Sequence, residues 1–289
     1  MTMSHPITHF VERDGVRIHY LHHPGPAPEM VLIHGLTANA HCFDGLIAAG
    51  LGSVRGVLAL DQRGRGLSDQ PASGYSPAEH AADVIALLDH HGIDKTVICG
   101  HSYGGLVALE IANAYPERVA KLVVIDIGGT SVQNPDVFAL IKPSLDRLGK
   151  VFPSWDEYVA LMKAVPYFEG AWGPALEAYF RADVAAQTDG SVRVRTPPEV
   201  IQQVVAEAQA VDWQQRLAGA AQPSILIHAD GPYGVPGTAP VVLEAQARDA
   251  VDALPQGRYV HVPGNHMSML YGANAGRVVE VIREFVTDA

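Results

Sequence analysis

One stretch constrains the fold of this chain more than any other. In residues 97–106, Val-Ile-Cys-Gly-His-Ser-Tyr-Gly-Gly-Leu, an apolar run breaks into G-x-S-x-G and then resumes with helical spacing. This pattern predicts a strand, a tight turn that carries Ser102, and a helix. The small neighbours Gly100 and Gly104 allow the strained backbone that such a serine adopts. The turn therefore predicts a nucleophile at the carboxyl edge of a sheet, beside the Tyr103 N–H at the start of a helix, where negative charge is stabilised. The alternative is a glycine-rich turn between a strand and a helix in which the serine has no catalytic role.

The composition narrows the class of protein and of partner. The 289 residues suffice for one large α/β domain with an insertion or for two small domains, and 48% hydrophobic with 18% charged residues is typical of globular proteins. No apolar run approaches the roughly 18 residues of a membrane span, and the N-terminal stretch lacks the apolar segment of a secretory signal. We therefore expect a cytoplasmic protein without a membrane partner. The net charge of −11 disfavours nucleic acid, so the expected partner is a small-molecule substrate, with a homodimer left open.

Strand and helix patterns alternate through the first part of the chain. Besides the run before Ser102, strands are predicted at residues 16–20, 30–34, 56–61, 121–126, 223–228 and 258–262. A helix is predicted to begin after the cap Ser76, with Pro77 at its first position, and to end before Gly92. This alternation indicates βαβ units and a parallel sheet.

The alternation stops between about residues 128 and 222, where helical patterns follow one another without an apolar strand run. These patterns cover residues 136–148, 154–165, 175–186 and 198–210. The segment holds half of the aromatic residues of the chain, including Trp155, Trp172 and Trp213, and these require a core or an apolar ligand to bury against. We predict a helical insertion at residues 128–222 and a core domain made of residues 1–127 and 223–289.

A nucleophilic serine requires a base to take its proton and a carboxylate to hold that base in the right tautomer. His266 is the best candidate base, because it follows the last predicted strand in a loop shaped by proline and glycine. Asp126 ends the strand after the nucleophile unit, and Asp230 follows the strand at 223–228, so either could orient the imidazole. The other histidines show no spacing such as H-E-x-x-H, and we predict no metal.

Four motifs resemble those of the α/β-hydrolase superfamily, and the match spans nearly the whole chain. They are Gly-His-Ser-Tyr-Gly-Gly at 100–105, His-Gly-Leu at 34–36, Asp-Gln-Arg-Gly-Arg-Gly-Leu-Ser-Asp at 61–69 and Gly-Asn-His at 264–266. The resemblance implies an eight-stranded, mostly parallel sheet flanked by helices, with a helical cap inserted after strand six. It also implies that the N–H groups of Leu36 and Tyr103 form an oxyanion hole.

The resemblance also bears on the choice of the acid. Many relatives carry it after strand seven in a G-x-x-D pattern, whereas here Asp230 stands two places early and Pro232 occupies the expected position. A minority carry the acid after strand six, which corresponds to Asp126. The resemblance therefore favours Asp126 over Asp230.

Together these residues predict a cofactor-free serine hydrolase that cleaves a carboxylic ester, lactone or activated amide through an acyl-enzyme. Two alternatives stay open, namely hydrolysis of a carbon–carbon bond in a diketone-like substrate, which similar enzymes achieve with the same triad, and a non-catalytic small-molecule receptor. Arg193 and Arg195 in the insertion could clamp a substrate carboxylate or could be solvated.

Overall fold

The apolar runs of the sequence form the strands of a computed structural model that describes residues 7–129 and 133–288. Residues 1–6, 130–132 and 289, which belong to the predicted core and insertion, lie outside the described residues. The strands are β1 (Ile7–Arg13), β2 (Val16–His23), β3 (Met30–Ile33), β4 (Val57–Leu60), β5 (Thr96–His101), β6 (Val119–Ile125), β7 (Val151–Phe152), β8 (Val184–Ala186), β9 (Val192–Val194), β10 (Ser224–His228) and β11 (Gly257–His261).

Eight of these strands form one sheet in the order β1-β2-β4-β3-β5-β6-β10-β11. Strand β2 is antiparallel to β1 and β4, and the remaining neighbours are parallel. Every residue of β3, β4 and β5 is buried, as in sheets covered on both faces. The eight-stranded, mostly parallel sheet that the resemblance implies is thus confirmed.

Strand β1 was not predicted from the sequence. It pairs with β2 through a tight hairpin in which Asp14 and Gly15 both have positive φ angles, 52° and 78°. An Asp-Gly pair is a strong signal for a two-residue hairpin turn. The residues of β1 mix polar and apolar side chains, as suits an edge strand, and so lack the continuous apolar run of the buried strands.

The helices connect and cover these strands. They are α1 (Asp44–Ala48), α2 (Leu51–Val54), α3 (Pro77–His90), α4 (Tyr103–Ala114), α5 (Pro135–Leu140), α6 (Lys142–Asp146), α7 (Trp155–Lys163), α8 (Pro174–Asp183), α9 (Pro198–Gln209), α10 (Trp213–Gly219), α11 (Glu244–Ala253) and α12 (Gly272–Thr287). The predicted cap of α3 is present, since Ser76 Oγ accepts the Glu79 N–H at 3.2 Å. No helix within the described ranges is both long and apolar enough to cross a membrane.

The segment between β6 and β10 is not purely helical, contrary to the prediction. Its three short strands form an antiparallel sheet in the order β7-β9-β8, and the pattern predicted as one helix at 175–186 ends as a helix at Asp183 and continues as β8. The alternation of β9, with Arg193 exposed between two buried valines, is a strand signal that is too short to outweigh the surrounding helical patterns. The pattern at 136–148 divides into α5 and α6 at Ile141, because Pro143 in the first turn of α6 lacks the N–H that a continuous helix needs.

The carboxyl ends of the central strands meet at one edge of the large sheet. Ile125, the last residue of β6, is in register with His101 of β5 and with Ile227 of β10. The residues that follow β5 and β6 are Ser102 and Asp126, so the sheet itself brings these two side chains to the same edge.

Two glycines allow the turn after β5 to pack against β3. A Cβ atom on Gly104 would lie 2.0 Å from the carbonyl oxygen of Ile33, and one on Gly100 would lie 2.1 Å from the carbonyl oxygen of Gly104. Real Cβ atoms do not approach backbone atoms this closely, so larger residues at these positions would displace the turn.

We therefore expect Gly104→Ala to lower the free energy of unfolding by about 3 kcal/mol or more. The matched control is Gly276→Ala in the exposed face of α12, where an added Cβ has open space. That variant should gain about 0.5–1 kcal/mol, because alanine loses less backbone entropy on folding. Urea unfolding of both variants measures the difference, and equal stabilities would contradict the close packing of the turn.

Candidate active site

Ser102 holds a strained backbone conformation between β5 and α4. Its φ and ψ angles are 54° and −126°, a combination that costs a non-glycine residue about 1–3 kcal/mol. The conformation is fixed on both sides, because the Ser102 N–H donates to the carbonyl of Ile125 at 2.9 Å and the Gly105 N–H donates to the carbonyl of Ser102 at 2.8 Å. Strain that the surrounding structure maintains in this way is a mark of functional turns.

Asp126 and His266 form a buried hydrogen-bonded pair. The His266 Nδ1–H donates to Asp126 Oδ2 at 2.6 Å, and the two side chains are 6% and 0% exposed. The second carboxylate oxygen of Asp126 accepts the Ala229 N–H at 3.1 Å. Because Nδ1 carries the donated proton, Nε2 of His266 is the acceptor that a general base requires. Across the described ranges no hydrogen bond joins Ser102 to His266, and both residues border the same cavity.

Asp230, the alternative acid, lies elsewhere. Its Oδ1 accepts a hydrogen bond from His261 Nε2 at 2.8 Å, and both side chains are about half exposed. The hydrogen bond from His261 lowers the pKa of Asp230 below its ordinary value. The structure thus brings His266 together with Asp126 and pairs Asp230 with a different histidine.

The loop that carries His266 is ordered by its neighbours. Asn265 Oδ1 accepts the N–H groups of Met267 and Ser268 at 3.0 and 2.9 Å, which closes a turn around His266. The carbonyl of His266 accepts the Nε2–H of His101 at 2.8 Å. Burial, together with the nearby imidazole of His266, holds the pKa of His101 well below 6.5, so His101 is a neutral donor that anchors the loop to the end of β5.

The turn after β3 contains the Leu36 N–H, the first predicted oxyanion donor. The carbonyl of Gly35 accepts the His34 Nδ1–H at 2.8 Å and the Ala38 N–H at 3.3 Å. His34 Nε2 accepts the Gln62 N–H at 3.0 Å, and burial lowers the pKa of His34 to about 4, so the ring stays neutral with its proton on Nδ1. In a trans peptide the C=O and N–H groups point in opposite directions, so fixing the carbonyl of Gly35 also fixes the Leu36 N–H.

The second predicted oxyanion donor lies at the start of α4. Tyr103 is the first residue of that helix, where backbone N–H groups have no acceptor within the helix. Leu36, Ser102 and Tyr103 border one cavity together. Both residues predicted to supply oxyanion donors thus line the same cavity as the strained serine.

The Asp-Gln-Arg-Gly-Arg-Gly-Leu-Ser-Asp motif at 61–69 stabilises this edge of the sheet through buried hydrogen bonds to its first residue, Asp61. The buried carboxylate of Asp61 accepts hydrogen bonds from His19 Nδ1, the Ala40 N–H and the Leu67 N–H at 2.7, 2.7 and 2.8 Å. Burial opposes ionisation of Asp61, yet these donors, chiefly His19, hold its pKa below the ordinary value. The carboxylate thus ties β2, the turn before α1 and the loop after β4 to one another.

Two cavities meet at Ser102, Leu36 and His266. The first is lined on one part by polar side chains, the polar wall of Ser144, Arg147, Tyr167, Tyr179 and Tyr233, and elsewhere by apolar side chains that include Met162, Val165, Phe168 and Phe180. The second has an apolar wall of Leu106, Val137, Phe138, Val241 and Val242. Most of these residues come from the insertion or from the loop after β10.

Sequence reasoning missed the residues of the polar wall. Arg193 and Arg195, the predicted candidates for a carboxylate clamp, lie instead beside the loop at 66–70, whereas Arg147 borders the cavity. Tyr233 comes from a proline- and glycine-rich loop and meets the ring of His266 edge-on, with centroids 5.8 Å apart. Neither Arg147 nor Tyr233 stands in a motif, so no signal in the sequence singles them out.

Comparisons with known proteins agree with this architecture. The family model described as the alpha/beta hydrolase fold matches residues 28–273. A 2-(acetamidomethylene)succinate hydrolase of Mesorhizobium japonicum is 35% identical over 102 residues, which cover 35% of this chain and 36% of that protein. A soluble epoxide hydrolase of Corynebacterium sp. is 33% identical over 178 residues, which cover 60% of this chain and 56% of that protein. The matches therefore span from about a third to just over half of these relatives.

A solved structure resembles the chain over its full length. The crystal structure of E-2-(acetamidomethylene)succinate hydrolase superposes with a TM-score of 0.82 over 98% of this chain and 100% of that one. The sequence identity is 21%, so this likeness concerns the fold. The match to the family model covers most of the chain, and the protein therefore belongs to the α/β-hydrolase fold family.

Proposed function

We propose that this protein is a serine hydrolase in which Ser102, His266 and Asp126 form the catalytic triad. The observation that carries the proposal is the buried 2.6 Å hydrogen bond between His266 and Asp126, at the same sheet edge as the strained Ser102. The names of the relatives, a succinate-derivative hydrolase and an epoxide hydrolase, support a hydrolytic reaction.

The proposed reaction has two halves. Ser102 Oγ attacks the carbonyl carbon of an ester, lactone or activated amide while His266 Nε2 takes the hydroxyl proton. The oxygen of the tetrahedral intermediate is stabilised by the N–H groups of Leu36 and Tyr103. The leaving group departs with the proton from His266, and a water molecule then cleaves the acyl-enzyme by the same route. Asp126 keeps the imidazole oriented and stabilises its charged form.

The two cavities suggest the kind of substrate. The apolar wall fits a short hydrocarbon group, and the hydroxyl groups of the polar wall, with Tyr167 and Ser144 3.0 Å apart, fit a group that exchanges hydrogen bonds. Because Ser102 lies where the cavities meet, we propose a small substrate with an apolar group on one side of the scissile bond and a polar group on the other. The succinate derivative in the name of the similar crystal structure supports a small substrate.

The first test replaces the proposed nucleophile and base. Ser102→Ala and His266→Ala should each lower kcat on p-nitrophenyl esters by several orders of magnitude, and the double variant should be no slower than the worse single one, since the two groups act as a unit. Wild-type protein should release nitrophenol with an initial burst. Turnover of diketones without any esterase activity would favour carbon–carbon hydrolysis instead, and near-normal activity of Ser102→Ala would refute the proposal.

The second test concerns the acid. Asp126→Asn should lower kcat by roughly 10⁴-fold, the cost of holding the imidazole in the wrong tautomer. Asp230→Asn is the matched control and should change kcat little. Melting temperatures are measured in parallel, because Asp126 also accepts the Ala229 N–H and its loss could act through stability. The reverse ranking of the two variants would assign the acid to the position after β10.

The third test probes the apolar cavity. Phe138→Ala enlarges it and should raise the preference for longer over shorter chains, measured as a ratio of kcat/KM values, by about tenfold. Two substrate series are needed, acyl chains from acetate to octanoate on one alcohol and acetate esters of lengthening alkanols, because either side of the bond could occupy the cavity. The control is Phe10→Ala on the exposed face of β1. An unchanged ratio in both series would show that this wall does not contact substrate.

A further inference from the structure

Three consecutive carbonyl groups in the turn after β3 accept hydrogen bonds from side chains of three different parts of the chain. The donors are His34 Nδ1 to the carbonyl of Gly35 at 2.8 Å, Arg65 Nε to that of Leu36 at 3.2 Å, and Arg147 Nη2 to that of Thr37 at 2.9 Å. The first donor belongs to the turn itself and the second to the loop after β4. The third comes from the insertion between β6 and β10, so this insertion contacts the backbone that presents the Leu36 N–H.

Arg147 is held rigidly at this point. Its Nε and Nη2 atoms donate to the two carboxylate oxygens of Asp183 at 2.9 and 3.3 Å, and Nη1 donates to the carbonyl of Ser144. The side chains of Arg147 and Asp183 are 4% and 3% exposed, and the Tyr158 hydroxyl also donates to Asp183. A buried arginine and carboxylate with this many hydrogen bonds form a fixed pair.

These bonds define what Arg147 can do. Although it borders the polar cavity, both Nη2–H groups and the Nε–H are engaged, on Asp183 and on the carbonyl of Thr37. A bidentate grip on a substrate carboxylate requires one of the two edges of the guanidinium that include Nη2. Arg147 therefore has no free edge for such a substrate group, and its contact toward the site is the carbonyl of Thr37.

The peptide that follows Thr37 closes the turn. Its carbonyl accepts from Arg147, and its N–H, that of Ala38, donates to the carbonyl of Gly35 at 3.3 Å. That same Gly35 carbonyl sets the direction of the Leu36 N–H, because the two groups belong to one trans peptide. A change in the Thr37 peptide therefore reaches the Leu36 N–H through one hydrogen bond.

We propose that Arg147, fixed by Asp183, is a positioning residue that sets the Leu36 N–H for the oxyanion. The inference rests on the proposed function, since it assumes that an oxyanion forms beside Ser102. It adds that the insertion is part of the oxyanion hole's support as well as a wall of the cavity. Loss of Arg147 should then impair transition-state stabilisation and leave substrate binding nearly intact.

The test uses variants that avoid an unpaired buried charge. Arg147→Met combined with Asp183→Asn removes both charges together, and Arg147→Lys keeps the charge but cannot reach Asp183 and Thr37 at once. The matched control is Arg216→Met combined with Glu110→Gln, which removes both charges of another ion pair between the insertion and the core, joined at 2.7 Å. Circular dichroism and melting temperatures establish that each variant is folded.

Two readouts separate positioning from a merely structural role. One is kcat and KM on a p-nitrophenyl ester. The other is the rate at which a p-nitrophenyl alkylphosphonate modifies Ser102. In this step the Oγ–P bond forms, nitrophenolate leaves and the hydroxyl proton passes to His266. The phosphoryl oxygen then takes the place of the oxyanion. We expect kcat and the phosphonylation rate to fall together by about tenfold to a hundredfold in both Arg147 variants, with KM within about twofold of wild type. The Arg216→Met/Glu110→Gln control should leave both rates unchanged.

Every other outcome contradicts either the inference or the proposed function. If KM rises while kcat and phosphonylation are unchanged, Arg147 is a substrate ligand and the inference is wrong. If the Arg216→Met/Glu110→Gln control slows both rates as much as the Arg147 variants do, the effect is general destabilisation and the inference is also wrong. If wild-type Ser102 is not phosphonylated at all, the proposed function itself is wrong. If phosphonylation proceeds equally in wild type and in the Arg147 variants, the proposed function stands and the inference alone is wrong.

Discussion

The hydrogen bond between His266 and Asp126 is the interaction on which the arrangement of this site depends. A carboxylate that is fully buried costs several kcal/mol unless donors surround it. Asp126 satisfies this requirement with two donors from distant parts of the chain, the His266 ring and the Ala229 N–H. Both donors are in place only when β6, β10 and the loop after β11 are docked. The geometry of the His266–Asp126 pair therefore depends on the docking of β6, β10 and the loop after β11.

The turns around that pair are held rigidly by hydrogen bonds. Ser102 and Asp126 both follow a parallel strand and both have positive φ angles, 54° and 53°, and the N–H group of each donates to the last part of the neighbouring strand, at Ile125 and Ile227. The turn that presents the Leu36 N–H is fixed by the neutral ring of His34, by Arg65 and by Arg147. Donors that are oriented before the reaction need no reorganisation when charge develops, and this is the largest catalytic advantage a site of the proposed kind can have.

The sequence allowed much of the core to be predicted, for reasons that are local. The strand, turn and helix around Ser102 follow from glycine spacing and hydrophobic periodicity within ten residues. The eight strands of the sheet followed from the resemblance, while the periodicity by itself missed β1. Within the insertion, β8 and β9 have three residues each, too few for a period of two to be distinguished from a helical pattern.

The remaining features depend on distances that no pattern encodes. Asp126 and Asp230 both follow buried strands, and only the three-dimensional structure shows that the first contacts His266 and the second contacts His261. Arg147 has no motif around it, because its contact with Thr37 spans 110 positions and depends on how the insertion packs on the core.

The central claim is that the reaction passes through an acyl group on Ser102, and acid-quenched peptide mapping tests it directly. The protein is mixed with a p-nitrophenyl ester for milliseconds, denatured in acid, digested and analysed by mass spectrometry. The proposed mechanism predicts that the peptide with Ser102 gains the mass of the acyl group minus one hydrogen, and that the same peptide from Ser102→Ala does not. Turnover with an unmodified Ser102 at every quench time, or with the acyl group on another residue, would contradict it.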